Sequence, residues 1–237
     1  MRAYWEETQQ HGIRMQPWTE AEHDPSAKYY NLREHPELTE TSLEEFIGLA
    51  HYESVQRFFA LLRWMNGPDS PYETTDSRMG QPQANGQRDL ADKTLVRDGG
   101  LIFFFRDLEL NLSTDSGRWD RALRRGFVDQ DGVKPAVNEN LRRFAGHLVD
   151  ELRTVNTDSL NDCIGIEFMP TLYTEAPVAD SMKMGNAFVV RFWLWGDTDD
   201  EIMGTFTRTV EALSTCLQKL APEVLQMRAA HNVMGEE

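Results

Sequence analysis

The sequence predicts an α+β fold in which helices cover a mainly antiparallel sheet of about three to five strands. Three observations support this class. The segment 188–195 is β-branched and aromatic, and it is apolar on both faces apart from Arg191; such a strand is covered on two sides. Apolar residues recur at helical spacing over 42–66 and 135–155. From residue 101 onward the predicted order is strand, helix, strand, strand, helix, as in most of a split βαβ unit.

The first 66 residues predict an arm followed by one long helix. Residues 1–41 are polar but contain five large aromatic residues, which favours an arm that packs along the domain over a disordered tail. The remainder, 42–237, is interpreted as a single α+β domain. Ser42 and Glu45 have the spacing of a capping box, and Asn66-Gly67-Pro68 is a strong stop signal. One helix is therefore predicted over 42–66.

The middle of the chain predicts a long irregular insertion and then a strand. Segment 67–98 contains three prolines and three glycines and shows little periodicity. A connection of this length is usually either functional or disordered, and the sequence leaves both alternatives open. Segment 101–112 begins apolar on both faces and then alternates, which predicts one long strand with a bend at Arg106-Asp107.

Alternating helix and strand signals follow to the end of the chain. Segment 116–126 predicts a short helix, and 135–155 a longer one with Pro135 in its first turn. Cys163–Met169 predicts a strand that ends at Pro170. Thr198 and Glu201 have capping-box spacing and open a helix that is expected to end near Ala221-Pro222, with a short last helix from Glu223 to about His231.

Composition excludes several function classes. The formal net charge is −15 and the sequence pI is about 4.8, which argues against binding nucleic-acid phosphates and permits a basic protein partner. The two cysteines lack Cys-x-x-Cys spacing, and no zinc, phosphate-loop, dinucleotide or hydrolase motif is present. No cofactor or metal is therefore expected. The absence of a signal-peptide pattern and of a long apolar run predicts a cytoplasmic protein without a membrane span.

An acidic turn opens the last long helix and is the best local candidate for partner binding. It contains Asp197, Asp199, Asp200 and Glu201. Carboxylates also interact favourably with the positive end of a helix dipole, so a purely structural role is the alternative interpretation.

A second candidate site lies on the sheet face opposite the predicted core. Strand parity places Arg191 and Trp193 on that face, and it predicts Glu167 there as a cross-strand neighbour of Arg191. Glu109 is expected on the same face of a third strand. Charged residues among tryptophans are typical of a ligand pocket, although a structural ion pair has the same pattern.

The third candidate is the one basic cluster of this acidic protein. Arg118, Arg121, Arg124 and Arg125 lie at helical spacing and predict either an anion site or a basic face that pairs with surface carboxylates.

These observations favour a non-enzymatic binding protein that recognises a basic protein partner, as an inhibitor or immunity-type protein does. The runner-up is an enzyme that processes a small molecule or nucleotide, with a pocket at the charged sheet face. A structural subunit of a larger assembly is the third hypothesis. The sequence does not specify an oligomeric state.

Overall fold

The computed structural model describes residues 1–9, 14–16, 32–41, 43–114, 135–155, 160–174 and 182–234. The strands are β1 (Arg2–Gln9), β2 (Arg14–Gln16), β3 (Tyr72–Met79), β4 (Gln83–Ala84), β5 (Leu95–Phe105), β6 (Asp162–Thr174) and β7 (Met182–Gly196). The α-helices are α1 (Glu44–Ile47), α2 (Glu53–Asn66), α3 (Glu139–Val155) and α4 (Asp199–Met234). Short 3-10 helices lie at Pro36–Glu40 and Leu108–Asn111.

One mixed sheet organises the described residues. Its order is β1-β6-β7-β5-β3, with β2 also paired to β6 and β4 to β5. The pairs among β3, β5, β7 and β6 are antiparallel, whereas β1 and β2 both run parallel to β6. The α+β class is thus confirmed. Most strand pairs are antiparallel, as predicted, but the two parallel pairs make the sheet mixed, and its seven strands exceed the predicted three to five. The arm supplies the parallel edge of the sheet. At most a short strand around residues 13–15 is predicted there, and β2 lies at that position, whereas the polar sequence did not indicate β1.

The core lies between the four helices and one face of the sheet. Alternate residues of β5, β6 and β7 point into it, and Phe103, Phe168 and Phe188 are fully buried there. From the helices, Phe58 and Phe144 meet this layer in ring contacts. The opposite face carries a much smaller apolar group, which includes Ile102, Phe104, Met169, Tyr173 and Val189. Charged side chains, among them Asp76, Arg78, Glu167 and Arg191, also lie on that face, and the candidate site is found there.

Two helices have bounds that differ from the predicted ones. The helix predicted over 42–66 is interrupted at residues 48–52. Leu43 is the N-cap of α1, and Ser42, the predicted cap, lies outside the described residues. The two pieces pack separately, since Phe46 and Phe58 are both fully buried. The helix predicted from 135 begins at Glu139, where the side chain of Asn138 accepts a hydrogen bond from the Asn140 N–H.

The segment 67–98 is not an irregular insertion throughout, because β3, β4 and the start of β5 lie in it. β3 is a polar edge strand, so few of its residues are apolar and periodicity is a weak signal for it. The strand predicted over 101–112 ends at Phe105. Its second half is a 3-10 helix that the buried Asn111 side chain ties to the N–H and C=O of Phe105 at 2.9 and 2.7 Å.

Two prolines do not end the elements that contain them. β6 continues through Pro170 to Thr174. The pairing of β6 with β1 ends at Phe168, and its pairing with β2 begins at Thr171. Pro170 lies between these two pairings, so its missing N–H interrupts neither of them. α4 likewise runs through Pro222 as one helix, because Leu220 and Val224 on either side continue its buried stripe. The helix predicted over 116–126 falls outside the described residues.

Candidate functional site in the charged sheet face

Two cross-strand rows of side chains define the candidate site on the sheet face opposite the helices. The first, the arginine row, runs through Arg78 on β3, Gly100 on β5, Arg191 on β7, Gly165 on β6 and Tyr4 on β1. The neighbouring row, the carboxylate row, runs through Asp76 on β3, Ile102 on β5, Val189 on β7 and Glu167 on β6. Positive and negative side chains therefore occupy adjacent rows of one surface.

A β-bulge in β3 brings Asp76 and Arg78 to this face. The pairing of β3 with β5 shifts register between Thr74 and Asp76. Before the register shift, the side chains of Tyr72 and Thr74 point toward the core. After the shift, the side chain of Met79 points toward the core. In an uninterrupted strand Asp76 would share the core-facing parity of Tyr72 and Thr74. Bulges of this kind re-aim side chains and recur beside functional sites.

A cleft of about 220 Å³ opens where the two rows meet. Its lining includes Gly100, the apolar residues Ile102, Met169 and Val189, and the charged residues Asp76, Arg78 and Arg191. Glycine is required at position 100, because a Cβ there would stand 2.4 Å from the carbonyl oxygen of Val190 and would force β5 and β7 apart. The cleft is smaller than the pockets of drug-sized ligands and suits a small molecule.

The predicted contact between Arg191 and Glu167 is confirmed. Arg191 Nε lies 3.5 Å from Glu167 Oε2, and the Glu167 side chain is 10 % exposed. The two residues are diagonal neighbours, since Glu167 pairs directly with Val189 and Arg191 with Gly165. Burial raises the pKa of Glu167 above its ordinary value; the Arg191 charge opposes this shift, and Glu6 adds to it. Arg78, which also lines the cleft, makes a looser ion pair with Asp98 at 3.7 Å.

Two residues predicted for this pocket lie elsewhere. Glu109 belongs to the 3-10 helix after β5, where its carboxylate is 2.5 Å from Lys183 Nζ, so its predicted place on a third strand is wrong. Trp193 does point to the charged face, but it stacks on Tyr4, with ring centroids 6.4 Å apart and planes inclined by 17°, and it is outside the cleft lining.

All four carboxylates of the acidic turn have partners within the protein. Lys93 Nζ contacts both Asp197 (2.8 Å) and Glu201 (3.1 Å), while Arg97 lies 3.2 Å from Asp199. The Tyr52 hydroxyl donates to Asp200 at 3.0 Å. These contacts join the turn to the 85–94 loop, to β5 and to the start of α2.

One of the two hydrogen bonds of the predicted capping box of α4 forms as expected, and the other has a different donor. Thr198 Oγ1 accepts a hydrogen bond from the Glu201 N–H at 3.2 Å, as expected. Glu201, however, accepts from the N–H of Asp197 at 2.9 Å instead of from Thr198. Two carboxyl groups of the turn have pKa values below their ordinary values. The hydrogen bond from Lys93 is the largest cause for Asp197, and the hydrogen bond from the Asp197 N–H is the largest cause for Glu201.

The basic cluster, a metal site and a membrane span are the remaining features to place. Arg118, Arg121, Arg124 and Arg125 fall outside the described residues. Within the described ranges, no three His, Cys, Asp or Glu side chains are grouped as metal ligands would be. No helix in the described part of the chain is long and apolar enough to cross a bilayer.

Sequence reasoning missed Asp76, Arg78 and Gly100 as site residues. The first two lie in the segment predicted to be irregular, and Gly100 directly precedes the strand predicted from residue 101. The one signal in the sequence is that the core-facing positions change from even numbers, Tyr72 and Thr74, to an odd number, Met79. This change identifies a bulge only when the partner strand is known.

Within the residues that the structure describes, the fold and site define a two-layer α+β protein with a charged cleft on the face of the sheet opposite the helices. Comparison with protein-family models, curated proteins and solved structures finds no match to the chain. Its function is therefore argued from the geometry of the site.

Proposed function

We propose that the protein binds a small organic anion in the cleft at Gly100. The observation that carries this proposal is that Arg78 and Arg191 flank Gly100 in one cross-strand row and both line the cleft. Their strands are two inter-strand spacings apart, about 10 Å, so both guanidinium groups can reach a ligand seated between them. Guanidinium groups form their strongest hydrogen bonds with carboxylate-like anions.

Two further features support an anion as the ligand. The contact of Arg78 with Asp98, at 3.7 Å, is longer than a good hydrogen bond, and the Arg78 side chain is 56 % exposed. A bound carboxylate can therefore form a shorter, charge-assisted hydrogen bond with the Arg78 guanidinium group. The apolar wall of Ile102, Met169 and Val189 would cover the hydrocarbon part of such a ligand.

The test is a titration with isocaproate, a small branched carboxylate, followed by amide NMR shifts. Shifts are expected at Gly100 and Val189, with affinity weakened about tenfold or more in Arg78→Gln, because a charged hydrogen bond contributes roughly 1.5–3 kcal/mol. Arg78 is 56 % exposed at its side chain, so the substitution should leave the fold intact. Arg88→Gln, at another exposed arginine, is the matched control. Equal affinities for the three proteins would refute the proposal.

A basic protein partner is the second candidate, supported by the net charge of −15. The side chains of Asp197, Asp199 and Glu201 remain 44–50 % exposed despite their internal contacts, so the acidic turn presents organised negative charge to solvent. An oligolysine peptide should associate more slowly with Asp200→Lys than with Asp69→Lys, and the difference should shrink at high salt. Equal slowing would show that only the overall charge acts. The enzyme and assembly-subunit hypotheses stay predictions that no contact described here favours.

A further inference from the structure

The cleft presents charges of both signs to the same small volume. Arg78 and Arg191 lie in the arginine row, and Asp76 lies in the carboxylate row, directly beside the cleft. The two rows are separated by two residues along each strand, or about 6.7 Å. Asp76 and Arg78 are placed together by the single bulge of β3, so the same backbone feature supplies both signs.

A simple anion complements the charge of only one of these two rows. A carboxylate held between Arg78 and Arg191 would bring a second negative charge near Asp76, and repulsion in a partly buried site is costly. A ligand with an adjacent ammonium group removes the repulsion and adds a charge-assisted hydrogen bond. The apolar wall of the carboxylate row, Ile102 and Val189, is then available for a short hydrocarbon side chain.

We propose that the cleft is a site for a zwitterion: an α-amino acid with a small branched apolar side chain. Its carboxylate would contact the guanidinium groups of Arg78 and Arg191, its ammonium group would contact Asp76, and its side chain would pack on Ile102 and Val189. This inference rests on the proposed function, because it names the class of ligand for the same cleft.

Three probes with one hydrocarbon skeleton separate the charges. Leucine has both charged groups, isocaproate lacks the ammonium group, and isopentylamine lacks the carboxylate. Calorimetric titration of the wild-type protein should show leucine binding about tenfold tighter than isocaproate, the effect of one charged hydrogen bond, with isopentylamine weakest. In Asp76→Asn the affinity for leucine should fall to that for isocaproate. Asp69→Asn, at an exposed carboxylate just before β3, should behave as wild type.

The outcomes distinguish the two proposals. If isocaproate binds at the cleft as tightly as leucine does, the zwitterion is refuted while the anion site survives. If neither compound binds at millimolar concentration, both proposals fail. An unchanged preference for leucine in a folded Asp76→Asn protein would also overturn the assignment of the ammonium group. The comparison of probes on the wild-type protein decides the question even if that variant does not fold.

Discussion

The buried guanidinium group of Arg97 makes the acidic turn sensitive to mutation in an asymmetric way. The Arg97 side chain is 2 % exposed, whereas that of its partner Asp199 is 48 % exposed, and their charged atoms are 3.2 Å apart. Arg97 also contacts the sulfur of Met203 at 3.4 Å. Removing Asp199 leaves a charge in the core with its ion-pair partner gone, while removing Arg97 leaves a carboxylate that water can solvate.

The expected magnitudes follow from this geometry. Loss of one partner from a fully buried pair costs about 3–5 kcal/mol; because water reaches Asp199, we expect Asp199→Ala to cost about 2–3 kcal/mol. Arg97→Met replaces the buried charge by an apolar chain of similar length and should cost within about 1 kcal/mol. Asp200→Ala, in the same helical turn, is the control for the helix dipole and should cost about 0.5–1.5 kcal/mol.

Urea unfolding followed by tryptophan fluorescence measures the three free energies of unfolding. If Arg97→Met were as destabilising as Asp199→Ala, the guanidinium group would be contributing net stability and the reasoning would be wrong. If Asp199→Ala cost no more than Asp200→Ala, Asp199 would act only on the helix dipole.

Three more measurements test local features. The Lys93 hydrogen bond holds the pKa of Asp197 below its ordinary value of 3.8. The ionised Asp197 therefore stabilises the fold fully above that pH, and this stabilisation is lost as the pH falls through the lower folded-state pKa. Asp197→Asn should reduce the drop in Tm between about pH 6 and about pH 3. Burial raises the pKa of Cys216 to about 11, so a thiol reagent at neutral pH should modify it only after unfolding, and rapid labelling of the native protein would contradict its burial. Asn111→Ala removes both bonds to Phe105 and should cost about 3 kcal/mol in urea unfolding, whereas a loss below about 1 kcal/mol would show that solvent replaces them.

Sequence alone determined the features that depend on local periodicity. The repeat of apolar residues predicted α3 and much of α2, because a helix face is a property of consecutive residues. Strand parity alone placed Arg191 and Glu167 on one face, since side chains alternate strictly along each of two adjacent strands. These predictions needed no knowledge of distant partners beyond the pairing of two consecutive strands.

The tertiary structure alone decided the features that depend on distant partners. β3 and its bulge exist through pairing with β5, and the bulge brings Asp76 and Arg78 to the cleft. The parallel edge of the sheet joins β1 to β6, more than 150 residues away. Asp199 meets Arg97 across 102 residues. Hydrogen bonds between strands and ion pairs across the fold are formed by whichever groups the packed core brings together, and no local pattern encodes that choice.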